Sequence, residues 1–267
     1  MRPHLLAAYA VAVGALAAGC ASILSIPDRL PEWCDRPENK HGFCDDFDHE
    51  DAGGAWLSGS SPGTTLAFGS SSDTQPNAVD LKTAPQPLGA VAVAGLYHSF
   101  PSTQKFEHLH FAVDVRFVSL DLATEGGLSS ELGFLLIAQT NFCIGTVMTP
   151  AGIGIVMRAH STNCTDLTDL PADASSITDD AGLSGFALVS PVPNLNQWYH
   201  ISLDVKRNAD SSGALAFDID YPGVISPPQI PPGYLTEASP DVAIATSIVG
   251  PSGHVELQFD NVTVDFL

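Results

Sequence analysis

The stretch "HLHFAVDVRFV", residues 108–118, limits what this chain can fold into more than any other. Leu109, Phe111, Val113, Val115 and Phe117 fall on one parity. His108, His110, Asp114 and Arg116 fall on the other, with Ala112 between them. A period of two sends successive side chains to opposite faces of a strand, so one face is made for a core and the other for water. "YHISLDVKR" (residues 199–207) repeats the pattern with Ile201, Leu203 and Val205 inward, and "ALAFDIDY" and "HVELQFDNVTVDFL" repeat it again. "ELGFLLIAQ", "FCIGTVM" and "GIGIVMRA" are apolar at nearly every position, as strands covered on both sides would be. Turn residues punctuate these runs: "TPAG", "SPVPNLN", "NADSSG", "SPPQIPPG" and "GPSG". About twelve strands are expected, with one short helix near residues 172–180. So many short strands separated by turns imply an all-β, two-sheet antiparallel sandwich or jelly roll.

The N-terminus points to a compartment. Arg2 precedes an apolar run from Leu5 to Leu16, which is too short to span a hydrocarbon core of about 30 Å and reads as a signal peptide. It ends in "LAAGC", with Ala17, Ala18 and Gly19 directly before Cys20. That arrangement resembles the lipobox of bacterial lipoproteins, in which the cysteine is lipid-modified and becomes the first mature residue. Ala17 departs from the more usual leucine. Ala21, where an aspartate is absent, implies by the same resemblance sorting to the outer membrane of a Gram-negative bacterium. The expected organisation is a signal peptide (1–19), a proline-rich tether with a disulfide loop (20–41) and one domain (42–267), held to the membrane by lipid and not by a span.

Cys34, Cys44, Cys143 and Cys164 remain, an even number in an exported chain, which suggests disulfides. Cys34–Cys44 and Cys143–Cys164 are the pairings that close short local loops. Ten basic against thirty acidic residues give a formal charge of −20. With no Lys/Arg cluster to neutralise a phosphate backbone, nucleic acid is excluded as a partner.

Three motifs together resemble the concanavalin-A-like lectin/glucanase jelly rolls, laminin-G-like modules included. They are the opening "CDDFD" followed by Trp56, the middle "NQWYHISLDVKR" with "GALAFDID" after it, and the closing "ELQFDNVTVDF". The resemblance covers most of residues 42–267 and implies that the last strand pairs beside the first. It implies a glycan or another polymer as ligand. It leaves open a polysaccharide lyase, a glycosidase or a purely structural surface protein, because this fold hosts many activities.

No catalytic residue stands out. The Glu-x-Asp-x-x-Glu strand of related glucanases is absent, and Asp218 and Asp220 read as solvent-facing acids. No Gly-x-Ser-x-Gly elbow or phosphate-cradling loop occurs. His108, His110 and Arg116 share a strand face and are candidates for ligand contact, together with the aromatic residues Trp56 and Tyr97. Tyr221 and Tyr234 are further aromatic candidates, whereas Trp198 is expected in the core. Asp45, Asp46 and Asp48, with Asp260 and Asn261, could pool oxygen ligands for a structural calcium ion where first and last strands meet.

Overall fold

The computed structural model describes residues 33–37, 40–47, 55–69, 77–101, 103–125, 128–139, 142–159, 184–220 and 229–267. The expected signal peptide, Cys20, Asp48, Cys164, Tyr221 and the expected helix at 172–180 lie outside them. No helix among the described residues is long and apolar enough to cross a membrane.

Among the described residues, after one 3₁₀ turn (Trp33–Asp35), every regular element is a strand. In chain order the first are β1 (Phe43–Asp45), β2 (Leu57–Ser60), β3 (Thr64–Gly69), β4 (Ala78–Thr83), β5 (Val91–His98) and β6 (His108–Leu122). β7 (Thr124–Glu125) and β8 (Leu128–Ser129) form a small hairpin. There follow β9 (Glu131–Gln139), β10 (Phe142–Thr149), β11 (Gly152–Ala159) and β12 (Ser184–Ser190). The last four are β13 (Trp198–Arg207), β14 (Gly213–Ile219), β15 (Asp241–Val249) and β16 (Ser252–Phe266).

These strands form two antiparallel sheets. Sheet I runs β14-β13-β6-β16-β4-β3, with β1 also paired to β16. Sheet II runs β12-β11-β10-β9-β15-β5-β2. The centre of sheet I is two long strands, β6 and β16, of 15 residues each. The first half of β16 pairs β4 and the second half pairs β1, with Phe43 opposite Val264 and Asp45 opposite Val262. First and last strands are therefore neighbours, as the resemblance implied.

The parity read from the sequence sets the core. Leu109, Phe111, Val113, Val115 and Phe117 of β6 are fully buried, as are Ile201, Leu203 and Val205 of β13. They meet Phe134, Ile144, Ile155 and Ile244 of sheet II, and Phe117 packs edge-on to Phe134 at 5.7 Å between centroids. Each such side chain contributes about 1.5–3 kcal/mol on burial, so the sandwich itself supplies most of the stability. β9 and β10 are buried at almost every position on both faces.

The 33–47 segment is fastened at several points. Cys34 and Cys44 are joined by a disulfide. The Cys34 amide donates to Asp46 Oδ2 at 3.0 Å, and the Gly42 amide donates to Asp265 Oδ1 at 2.7 Å. Phe43 lies against His98 and edge-on to Trp56 and Phe100. Trp56 is turned inward and is only 8% exposed, with its indole N–H donating to Asp45 Oδ2 at 2.7 Å. Its ring thus offers no face to a ligand, which corrects the expectation of a binding aromatic: a large apolar ring beside an inward carboxylate gains more by packing than by exposure.

Candidate functional site

A concave part of the described surface lies around β2, an edge strand of sheet II. All four of its residues are exposed, and Leu57 is 67% exposed. Register places Leu57 opposite Tyr97 and Gly59 opposite Gly95, while Tyr97 and Gly95 pair in turn with Ala243 and Ala245. All of these share the outward face. They line an open groove of about 560 Å³, with Val93 and Leu136 completing its wall. Small residues make the floor flat. At Gly95 a Cβ would come within 2.8 Å of the Ile244 carbonyl oxygen and 2.9 Å of Ala245 Cβ, so only glycine lets the strands lie this close. Tyr97 is the aromatic wall, and its hydroxyl donates to Asp241 Oδ2. Burial first, and donation to that carboxylate second, raise the Tyr97 pKa above its ordinary value, so it stays a neutral donor.

On the other side of β2, Ser58 and Ser60 face a second hollow of about 420 Å³ with Thr64, Thr65 and Leu66 of β3. Ser58 and Ser60 line both hollows, and Thr64 and Thr65 line the second. Tyr97 is where the sequence placed a ligand contact. β2 itself carries no periodic signal in "LSGS", and only its edge position could have identified it.

The outward face of sheet I is built differently. His108 Nε2 and His110 Nδ1 both reach Asp204 Oδ1, at 2.9 and 3.0 Å. His200 Nδ1 donates to Asp114 Oδ1 at 2.8 Å, and the second oxygen of Asp114 accepts from Asn261 Nδ2 at 2.7 Å. His41 Nδ1 lies 2.6 Å from Asp265 Oδ2. Cross-strand register makes these pairs: Asp204 stands opposite His110, and His200 opposite Asp114. The Asp204 hydrogen bond raises the His110 pKa, and the Asp114 hydrogen bond raises that of His200, with Asp220 and Asp218 adding to it. Burial pushes the Asp204 carboxyl up, but the hydrogen bonds and charges of His110 and His108 outweigh it and hold it below the ordinary value. Asp218 is exposed beside this cluster, as the sequence suggested.

Arg116 is on the same face, with its guanidinium 5.5 Å above the ring of Trp198. Trp198 is thus not a core residue. It shares parity with His200 and Asp204, and Tyr199 takes the inward place, its hydroxyl accepting from the Asn194 amide at 2.9 Å.

The acids considered for calcium are divided among other tasks. Asp45 points inward and accepts from the Phe47 amide at 2.9 Å as well as from Trp56. Asp46 accepts from Cys34, and Asp260 Oδ1 accepts from the Asn261 amide at 2.8 Å. Among the described residues no group of three or more His, Cys, Asp or Glu side chains is arranged to hold a metal ion. The pleat that sends Asp45 and Asp46 to opposite faces separates them.

No protein-family model matches the chain, and no curated protein matches it. Among solved structures it is similar to the endo-β-1,4-glucuronan lyase of the fungus Trichoderma reesei, with a TM-score of 0.59 and 11% identity over 85% of this chain and 96% of that one. It is also similar to the PL-14 alginate lyase of Aplysia kurodai, with a TM-score of 0.54 and 12% identity over 85% of this chain and all of that one. At such identities the likeness is one of fold: this chain is an all-β jelly-roll sandwich of the kind these lyases share.

Proposed function

We propose that the protein is a glycan-binding module of the cell envelope, held there by a lipid on Cys20, with its ligand seated on β2 and β5. The observation that carries this reading is the groove beside Tyr97. Its flat floor at Gly59 and Gly95 can receive the apolar face of a sugar ring, an aromatic ring stands beside it, and hydroxyl side chains lie along the edge strand. The fold shared with two polysaccharide lyases supports a glycan as the ligand class. A glycan array probed with the full chain tests it. Retention of one glycan class, weakened by Tyr97→Ala, is the expected result, and no retention of any glycan overturns the reading. The lipid is tested separately by mass spectrometry of the protein from membranes. The expected mass carries acyl chains and begins at Cys20, and Cys20→Ala releases the protein into the soluble fraction.

An enzymatic reading has one observation in its favour, the Asn261–Asp114–His200 chain. An imidazole oriented by a fixed carboxylate, and half exposed to solvent, has the geometry of a general base. Release of unsaturated or reducing ends from a polysaccharide by wild type, lost in His200→Ala, would establish it. Intact polymer after prolonged incubation removes it.

A further inference from the structure

The two hollows beside β2 contrast with the acidity of the chain as a whole. The chain has 30 acidic and 10 basic residues, yet none of the residues lining either hollow is charged. Asp241 stands beside the groove, its carboxylate taken by the Tyr97 hydroxyl. Among the described residues most ion pairs lie on sheet I, where Asp204, Asp114 and Asp265 hold histidines and Lys82 bridges Asp80 and Glu256.

From this we infer that the ligand is a neutral polysaccharide, unsubstituted by carboxylate or sulfate; the inference rests on the glycan-binding reading above. A polyuronate carries one negative charge per sugar. To lie in this groove it would shed hydration from those charges with no cation to receive them, next to the Asp241 carboxylate and on a protein of formal charge −20. A neutral chain meets no such penalty. Its ring faces rest on Leu57, Gly59 and Tyr97, and its hydroxyls reach Ser58, Ser60 and Thr65 around the edge of β2. The chain thus shares a fold with a glucuronan lyase and an alginate lyase, and presents a groove whose chemistry suits a different polymer.

Affinity electrophoresis of the full chain through gels holding a neutral glucan, a neutral mannan, alginate or glucuronan tests the inference. Retardation by a neutral polymer alone is expected, unchanged between low and high salt because no charge pairs are made. Tyr97→Ala is expected to weaken it about tenfold. Leu57→Lys changes only an exposed side chain and so leaves folding intact. It should weaken neutral retention and introduce salt-sensitive retention by alginate. Retardation of wild type by alginate or glucuronan, equal to or stronger than by the neutral polymers, overturns the neutral assignment while leaving glycan binding in place. Retardation by none of the four, repeated across a wider array, overturns glycan binding itself.

Discussion

The outward faces of sheets I and II have the same pleat and opposite chemistry. On sheet I, β6, β13 and β16 turn His110, His200, Asp114, Asp204 and Asp265 to solvent, and register brings each imidazole to a carboxylate. On sheet II, β5, β9 and β15 turn Leu136, Ala138, Ala243 and Ala245 outward, with Cys143 of β10 among them. The first face pairs its imidazoles with its carboxylates. The second makes few hydrogen bonds of its own; its alanines and Leu136 are themselves buried, and Leu57 at its edge is a large apolar side chain left exposed. In a strongly acidic protein, the face that avoids charge is the more informative one.

The comparison assumes that one shared core separates the faces, and the largest expected effect tests that. Phe111→Ala, inward from sheet I and fully buried, should cost about 3–5 kcal/mol in chemical denaturation, with a single transition for both sheets. Two separated transitions would break the picture of one core. Next is a position where sheet I depends on polar geometry. Asn261 adopts φ +49° in the bulge of β16 and donates to Asp114 from a buried amide. Asn261→Leu loses both the tolerance of that conformation and the hydrogen bond, at about 2–4 kcal/mol, whereas Asn261→Gly should keep the backbone and lose less. The counterpart on sheet II depends on size alone. Gly95→Ala puts a methyl group against backbone and should cost about 1–3 kcal/mol with no dependence on pH. A neutral outcome there would mean that β5 and β15 can part, and the groove floor would not be rigid.

Much of this architecture can be read before any coordinates. Alternation names the inward residues of β6 from Leu109 to Phe117 and of β13 from Ile201 to Val205, and the continuous apolar runs of β9, β10 and β11 mark the sheet that is buried on both sides. What alternation does not carry is partnership. His108 and His110 share a strand face in sequence, but the carboxylate that holds them, Asp204, is 94 residues away from His110 and arrives through strand register. Trp56 and Trp198 were misassigned for a related reason. Outside a clear alternating run Trp56 has no parity to read, and at the first residue of β13 Trp198 is apolar on a polar parity, where stacking with Arg116 outweighs burial. The groove is illegible because β2 is an edge strand of small polar residues, and its meaning comes from Tyr97, Leu136 and Ala243 on three other strands.

The smallest expected effect separates the faces most cleanly, because only one of them titrates near neutrality. His110 and His200 both have pKa values raised above 6.5, through Asp204 and Asp114 respectively, in the folded protein. A proton bound more tightly in the folded than in the unfolded state adds stability below the unfolded pKa, and that stability is lost as the pH rises through the folded one. The groups facing His200 are Asp114, Asp218 and Asp220. Those facing His110 are Asp204 and Asp265, with His108 sharing the Asp204 oxygen and the positive charge of His200 opposing its protonation. Asp204 acts at the other end: its lowered pKa gives stability that is present above 3.8 and is lost as the pH falls through its folded value. Between about pH 6 and 8 the melting temperature of the wild type should therefore fall gently, and the double variant His110→Gln/His200→Gln should flatten that slope. Tyr97→Phe on sheet II should leave the slope as it is, since the tyrosine, pushed above 10, stays protonated throughout this range. An unchanged slope in the double variant would move the titrating groups off sheet I, and a changed slope in Tyr97→Phe would place one of them beside the groove.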